Sequence, residues 1–267
     1  MCNKKMFDAE YNYSQHIWRD VFIAIVSVDF PENRNRVTNL QKQLVDNNLC
    51  KGYVCLGEKV KNFSHRIDAV FQCHKDIAVW FIQNRPCNYL LILEDDALIC
   101  ADNISSKIRR YIQDANNYNK KWLALHLGCY ALTRMYKTEQ KDLYLGKGYG
   151  AHSYILNGNQ LEYWLDKIEK WKIPYTLEKW QSVPDRLILM VHPMLFSQTV
   201  HCTKLHSILL PGINNPYKWY KYINTLNTVN IYIEELFCMF LLLFLIFPKY
   251  TPIFIFVIYI YILRNAI

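Results

Sequence analysis

One stretch constrains this chain more than any other: Tyr89 to Ile99, which reads YLLILEDDALI. Leu90, Leu91, Ile92 and Leu93 run straight into Glu94, Asp95 and Asp96, after which apolar character resumes. A continuous apolar run of this length predicts a strand buried on both faces, the kind found in parallel sheets covered by helices. Open sheets of that class bind ligands outside the carboxyl ends of their strands. Three adjacent carboxylates at that end repel one another and lose hydration together, unless a divalent cation or several hydrogen-bond donors compensate them. Two plainer readings stand beside a metal site. One is a solvated acidic turn, and the other is a carboxylate pair capping the following helix, with Asp96 close before its start.

The rest of the chain supplies the context. At 267 residues it can bury one good core and needs at most two domains. A formal charge of +8 points to an anionic partner, but the basic residues are scattered, with no arginine-rich helix, which weakens nucleic acid as that partner. The nine cysteines show no CxxC pair and no regular spacing, which argues for mostly reduced thiols over a disulfide scaffold. The first twenty residues are polar, lack an apolar secretion signal, and are expected to lie over the domain as an arm.

Val21 to Val28 reads as the first strong strand, followed by Pro31 and a helical stripe of Val37, Leu40, Leu44 and Val45. Arg34 and Arg36 sit near that helix start, where a nucleotide diphosphate would find bidentate donors, Arg34 being the stronger candidate of the two. Tyr53 to Leu56 is a weak strand, and residues 65–84 form an amphipathic helix containing His74, whose first reading is structural. The order strand, helix, weak strand, helix, acidic strand is that of an α/β unit. Further on come a helix from Ile104 to Ala115, a strand from Trp122 to Leu127, a glycine-bearing loop entering a strand from Ala151 to Leu156, and a helix from Asn159 to Trp171. Asp185 then precedes a short apolar segment. Gly146, Gly148 and Gly150 lack the strand–turn–helix context of a dinucleotide fingerprint.

The C-terminal stretch differs in kind. From Leu236 to Leu263 the only charged residue is Lys249, between Pro248 and Pro252, so two apolar runs flank a break. Each run is shorter than the roughly 20 residues that cross a bilayer, but a kinked span or a shallow hairpin would reach into one. The expectation is therefore a hydrophobic, membrane-associated tail over 236–263. Lys218 and Lys221 favour the cytoplasmic side for the domain before it.

Taken together, the arginine-bearing first helix, CHKDIAVW, LILEDDA, GAHSYIL, VPDRL and HPMLFSQ resemble glycosyltransferase family 25, the lipopolysaccharide-type and collagen-type β-glycosyltransferases. The resemblance covers about residues 20–210. Cys73-His74 stands where that family usually carries a Ser-His pair. What it implies is a GT-A-like nucleotide-diphosphosugar transferase sandwich with a mostly parallel central sheet. The chain then divides into an arm at 1–20, a catalytic domain at 21–210, a linker at 211–235 and the tail at 236–263. The implied activity is metal-dependent transfer of a hexose, with inversion, from a nucleotide sugar (UDP-hexose first) to a hydroxyl of a glycan, lipid-linked glycan or protein. Mn2+ is the first cation, with Mg2+ as the alternative.

The chemistry assigns roles in keeping with this. Asp96 is the first metal ligand, and Glu94, on the same side of an extended strand, reaches the metal or the donor. Asp95 and Arg34 are donor-binding residues. Asp185 is the base for the acceptor hydroxyl. His126, His152 and His192 are each open as metal or phosphate ligands or as interior packing, and His192 is the base if Asp185 is not. A two-metal phosphoesterase and a catalytically inactive, membrane-tethered sugar-binding scaffold are the rival readings.

Overall fold

The apolar runs become the central strands of a three-layer α/β/α molecule, seen in a computed structural model that describes residues 3–8, 20–28, 31–49, 51–57, 63–131, 135–146, 148–171, 187–198, 216–232 and 239. In chain order the elements are β1 (Asn3–Asp8), β2 (Val21–Val28), α1 (Pro31–Asp46), β3 (Lys51–Gly57), α2 (Phe63–Asn84), β4 (Tyr89–Glu94) and β5 (Ala97–Ile99). Then follow α3 (Ile104–Tyr118), β6 (Trp122–Ala131), β7 (Tyr136–Lys137), β8 (Leu143–Leu145), β9 (Gly148–Asn157) and α4 (Gly158–Trp171). The last are β10 (Leu187–Val191), β11 (Phe196–Gln198) and α5 (Pro216–Ile231).

Alternation along the strands explains why their runs are apolar throughout. Ile23, Ile25, Leu91, Leu93 and Ile155 face one core, shared with Leu40 and Leu44 of α1 and Ile108 and Ile112 of α3. Phe22, Ala24, Leu90, Ile92 and Leu156 face the other, against Ile77 and Phe81 of α2 and Leu161 of α4. A strand covered on both faces has no position left for a solvated polar residue. Phe22, Tyr53 and Trp80 stack as a tilted and edge-on trio, with centroids 4.6–5.2 Å apart, and key α2 onto the sheet.

The sheet itself corrects the expectation of a mostly parallel one. Its order is β1-β3-β2-β4-β9-β6-β10-β8-β7, nine strands in all among the described residues. Only β3/β2, β2/β4 and β6/β10 pair in parallel; the other five neighbour pairs are antiparallel. The physical reason is β9, which returns from beyond β6 and inserts antiparallel between β4 and β6. It is covered on both faces like its neighbours, so its apolar run carries no mark of direction. Residues 3–8, in the expected arm, add β1 as an edge strand antiparallel to β3. Residues 216–231, in the expected linker, form α5. Cys55 is disulfide-bonded, while Cys73, Cys87 and Cys100 are free thiols.

A second correction concerns the C-terminus. Among the described residues no helix is long and apolar enough to cross a membrane, which overturns the transmembrane segment and, with it, the membrane partner and the cytoplasmic-side membrane location. Of residues 236–263 only Met239 is described, and the rest of that stretch lies outside the described residues. The sequence holds a physical reason: proline is disfavoured in helix interiors, and Pro248 and Pro252 with the charged Lys249 divide the stretch into runs each shorter than a span.

Candidate functional site

Strands β2, β4, β6 and β10 share one direction, so their carboxyl ends lie along one edge of the sheet. That edge carries the acidic turn. β4 stops at Glu94, Asp95 and Asp96 form a turn, and Ala97 opens β5, which pairs antiparallel with β11 in a small second sheet. The turn is anchored from both ends. The Asp95 N–H donates to Val26 O (3.0 Å), and Cys100 N–H donates to Leu195 O (2.9 Å). Leu195 N–H in turn donates to Leu127 O within β6 (2.7 Å), which ties the small sheet to the large one.

The three carboxylates point to three different surroundings. Glu94 continues the β4 alternation toward the α2 face and lies 3.5 Å from His74 Nε2. Asp95 turns to the α1 face, where the Ser27 hydroxyl donates to its Oδ2 and Arg36 lies 3.8 Å from its Oδ1. Asp96 is the second residue of the turn. It is partly exposed as a residue, yet its Oδ1 is enclosed and has no hydrogen-bond partner. Burial is the main cause that pushes its carboxyl well above the ordinary range, with the neighbouring charges of Glu94 and Asp95 adding to it. Burial likewise raises Asp95, to about 6, against the opposing hydrogen bond from Ser27 and the charge of Arg36.

Other sequence-predicted residues fall as follows. Arg34 is exposed in the first turn of α1, and Arg36 reaches the acidic turn. Asp185 lies outside the described residues. His126 and His152 are buried within the sheet. Burial, and then the His152 charge, lowers His126 to about 4, so it is a neutral interior imidazole. His192 follows β10 on the same edge, and its Nε2 pairs with Thr228 Oγ1 of α5 at 2.9 Å beside a shallow cavity of about 520 Å³. Burial lowers its pKa as well. Three contributors are beyond sequence reasoning: Ser27 inside an apolar strand, Arg36 in preference to Arg34, and Tyr154, whose hydroxyl meets His74 Nδ1 at 2.7 Å.

Among the described residues, no three or more His, Cys, Asp or Glu side chains gather into a ready-made metal cluster. The turn nevertheless fits a hard cation of the magnesium class, which is held by one or two carboxylates together with substrate phosphates. Asp96, with its orphaned buried oxygen, and Glu94 are the two carboxylates that would hold it.

No protein-family model matches the chain, and no curated protein matches it. Distant structural similarity is found to several solved structures. A glycosyltransferase involved in glycosylation of the major capsid of PBCV-1 is 12% identical, with a TM-score of 0.43 over 76% of this chain and 98% of that one. UDP-glucose pyrophosphorylase in complex with UDP-glucose is 14% identical, with a TM-score of 0.36 over 64% of this chain and 72% of that one. A197 from STIV is 11% identical, with a TM-score of 0.41 over 67% of this chain and 83% of that one. Each likeness is distant and carries nothing about activity.

Proposed function

We propose that the chain is a metal-dependent hexosyltransferase of the family 25 type. It moves a sugar from a nucleotide diphosphate donor, UDP-hexose first, to a hydroxyl of a glycan, lipid-linked glycan or protein, with inversion. The observation that carries this reading is Asp96: a buried carboxyl oxygen without a partner, flanked by two more carboxylates, at the carboxyl edge of parallel strands. Such an arrangement does not stabilise the fold, because each charge held there is costly. A divalent cation, Mn2+ before Mg2+, supplies positive charge against the negative charge that builds on the departing diphosphate. Asp96 and Glu94 hold it. Asp95 fixes the turn through Ser27 and Arg36 and, with Arg34, serves the donor side. Asp185 is the base that takes the acceptor hydroxyl proton in this reading.

The test is calorimetry of UDP with and without Mn2+ on the full-length chain and on Asp96→Asn. The expected result is metal-dependent UDP binding that falls at least tenfold in the variant, with a melting temperature no lower than wild type. UDP binding indifferent to Mn2+ or to the substitution overturns the assignment. A nucleotide-sugar hydrolysis screen on the same protein then ranks the donors, and turnover of a simple phosphodiester instead would identify a phosphoesterase.

A further inference from the structure

Behind Glu94 stands a buried imidazole whose hydrogen bonds can be assigned one by one. His74, on α2, is 0% exposed. Its Nδ1 lies 2.7 Å from the Tyr154 hydroxyl, and the two rings stack at 5.8 Å with 15° between their planes. Tyr154 is itself buried. That burial, with the charge of Glu94, pushes its hydroxyl well above the ordinary value, so it keeps its proton. A buried phenol must place that proton on an acceptor, and among the described residues its hydrogen-bond partner is His74 Nδ1. Nδ1 therefore accepts, and the ring's own proton is on Nε2. This Nε2–H is enclosed with no hydrogen-bond partner, and it lies 3.5 Å from Glu94 Oε1, just too far to be bonded. A buried donor left unmade is costly, and this one lies within ion-pair distance of a carboxylate of the candidate site.

We propose that His74, set in one tautomer by Tyr154, is a positioning residue for Glu94. A small movement of the carboxylate would join Oε1 to Nε2–H and fix the orientation in which Glu94 would hold a cation. The inference rests on the metal-site reading given under Proposed function, and it adds the reason for the imidazole. The neighbouring carboxylate Asp95 has its own donors in Ser27 and Arg36. Asp96 has none on Oδ1. Glu94 is thus the ligand whose orientation depends on a group waiting behind it. Outer partners of metal ligands of this kind are commonly worth 10- to 100-fold in metal affinity.

The experiment is titration of the full-length chain with Mn2+ alone, for wild type, His74→Leu, His74→Gln, Tyr154→Phe and Asp96→Asn. Melting curves accompany each variant, and 15N-histidine NMR is recorded on the metal-free wild type. His74→Leu is expected to weaken Mn2+ binding about 10- to 100-fold. His74→Gln, which offers both an acceptor to Tyr154 and an N–H to Glu94, restores it to within about threefold of wild type, a rescue that a packing role does not produce. Tyr154→Phe falls between the two. NMR is expected to show His74 protonated on Nε2 and bare on Nδ1. If Asp96→Asn loses Mn2+ while the Leu and Gln variants bind it like wild type, the positioning role is overturned and the metal site stands. If Asp96→Asn binds Mn2+ undiminished, the metal site fails and the positioning role with it. Should the Leu variant not fold, a proton found on Nδ1, or a Gln variant tenfold weaker than wild type, still overturns the proposal.

Discussion

Asp95 is held in a costly state by its burial. Its folded carboxyl binds a proton with a pKa of about 6, against an ordinary value of 3.8, chiefly because it is buried. The folded state thus holds that proton more tightly than the unfolded chain does. Stability from this group is fully present below the ordinary value and is lost as pH rises through about 6. Asp95→Asn removes the dependence. Relative to wild type, the metal-free variant should gain as pH rises from about 4 to about 6 and then level off, by at most roughly 3 kcal/mol. Denaturant unfolding of both proteins across that range checks it, and a difference that shrinks with rising pH would contradict the burial. Gly128 supplies a steric counterpart. A Cβ there would meet Phe196 O, with His152 Nε2 at 2.6 Å and Ser153 Oγ at 2.7 Å. Since the Phe196 carbonyl is backbone and cannot swing aside, Gly128→Ala should cost roughly 1–3 kcal/mol or more, read as a lowered denaturation midpoint. The sequence announced LILEDDA at this scale, because three acids after four aliphatics need no partner to be conspicuous. It could not announce Ser27, which stands 68 residues from the carboxylate it serves. Nor could it choose Arg36 over Arg34, since the phase of α1 against the sheet is a tertiary fact.

At the scale of elements, the two ends of the sheet have different work. The carboxyl edge collects the acids. The opposite edge is closed by a polar clasp in which Trp122 Nε1 donates to Asn116 Oδ1 (2.9 Å) and Asn116 Nδ2 donates to Tyr89 OH (2.8 Å). Tyr89 and Trp122 stack nearly parallel, 5.8 Å apart, at the first residues of β4 and β6. This clasp pins the last turn of α3 beneath the sheet. Asn116→Ala leaves the fully buried indole N–H unmade and should destabilise by roughly 1–3 kcal/mol. Mn2+-dependent UDP binding should stay within about twofold of wild type, since the whole sheet separates the two edges. A large loss of binding at unchanged stability would contradict that division. Element existence was legible from periodicity in most of this region, α1, α2, β2, β4 and α3 among them. Direction was not. A strand buried on both faces looks the same whether its neighbours run with it or against it, so the run at Ala151–Leu156 showed a strand without its direction.

The whole molecule is joined through α5. Residues 216–231 follow a break in the described chain, yet they pack on the functional side of the sheet through buried Ile223, Asn227 and Ile231. Ile231 completes a small core with Met135 and Met190. Asn224 Oδ1 accepts the Met194 N–H (3.0 Å), Tyr220 OH donates to Met194 O (3.1 Å), and His192 joins Thr228. Met194 leads directly into β11, β11 pairs with β5, and β5 begins at the residue after Asp96. The helix therefore braces the acidic turn through one short chain of contacts. Ending the protein after Tyr232 preserves every one of them, whereas ending it after Asn215 removes them all and exposes Met190 and the Met194 amide. The shorter form should lose roughly 3–6 kcal/mol from the two isoleucines alone. It should also bind UDP with Mn2+ more weakly than the longer form at a temperature where both are folded. Thermal melts and calorimetry of the two truncations decide the matter. Equal stability would mean that α5 rests on the domain without supporting it, and equal binding at unequal stability would mean that β11 holds the turn without help from the helix.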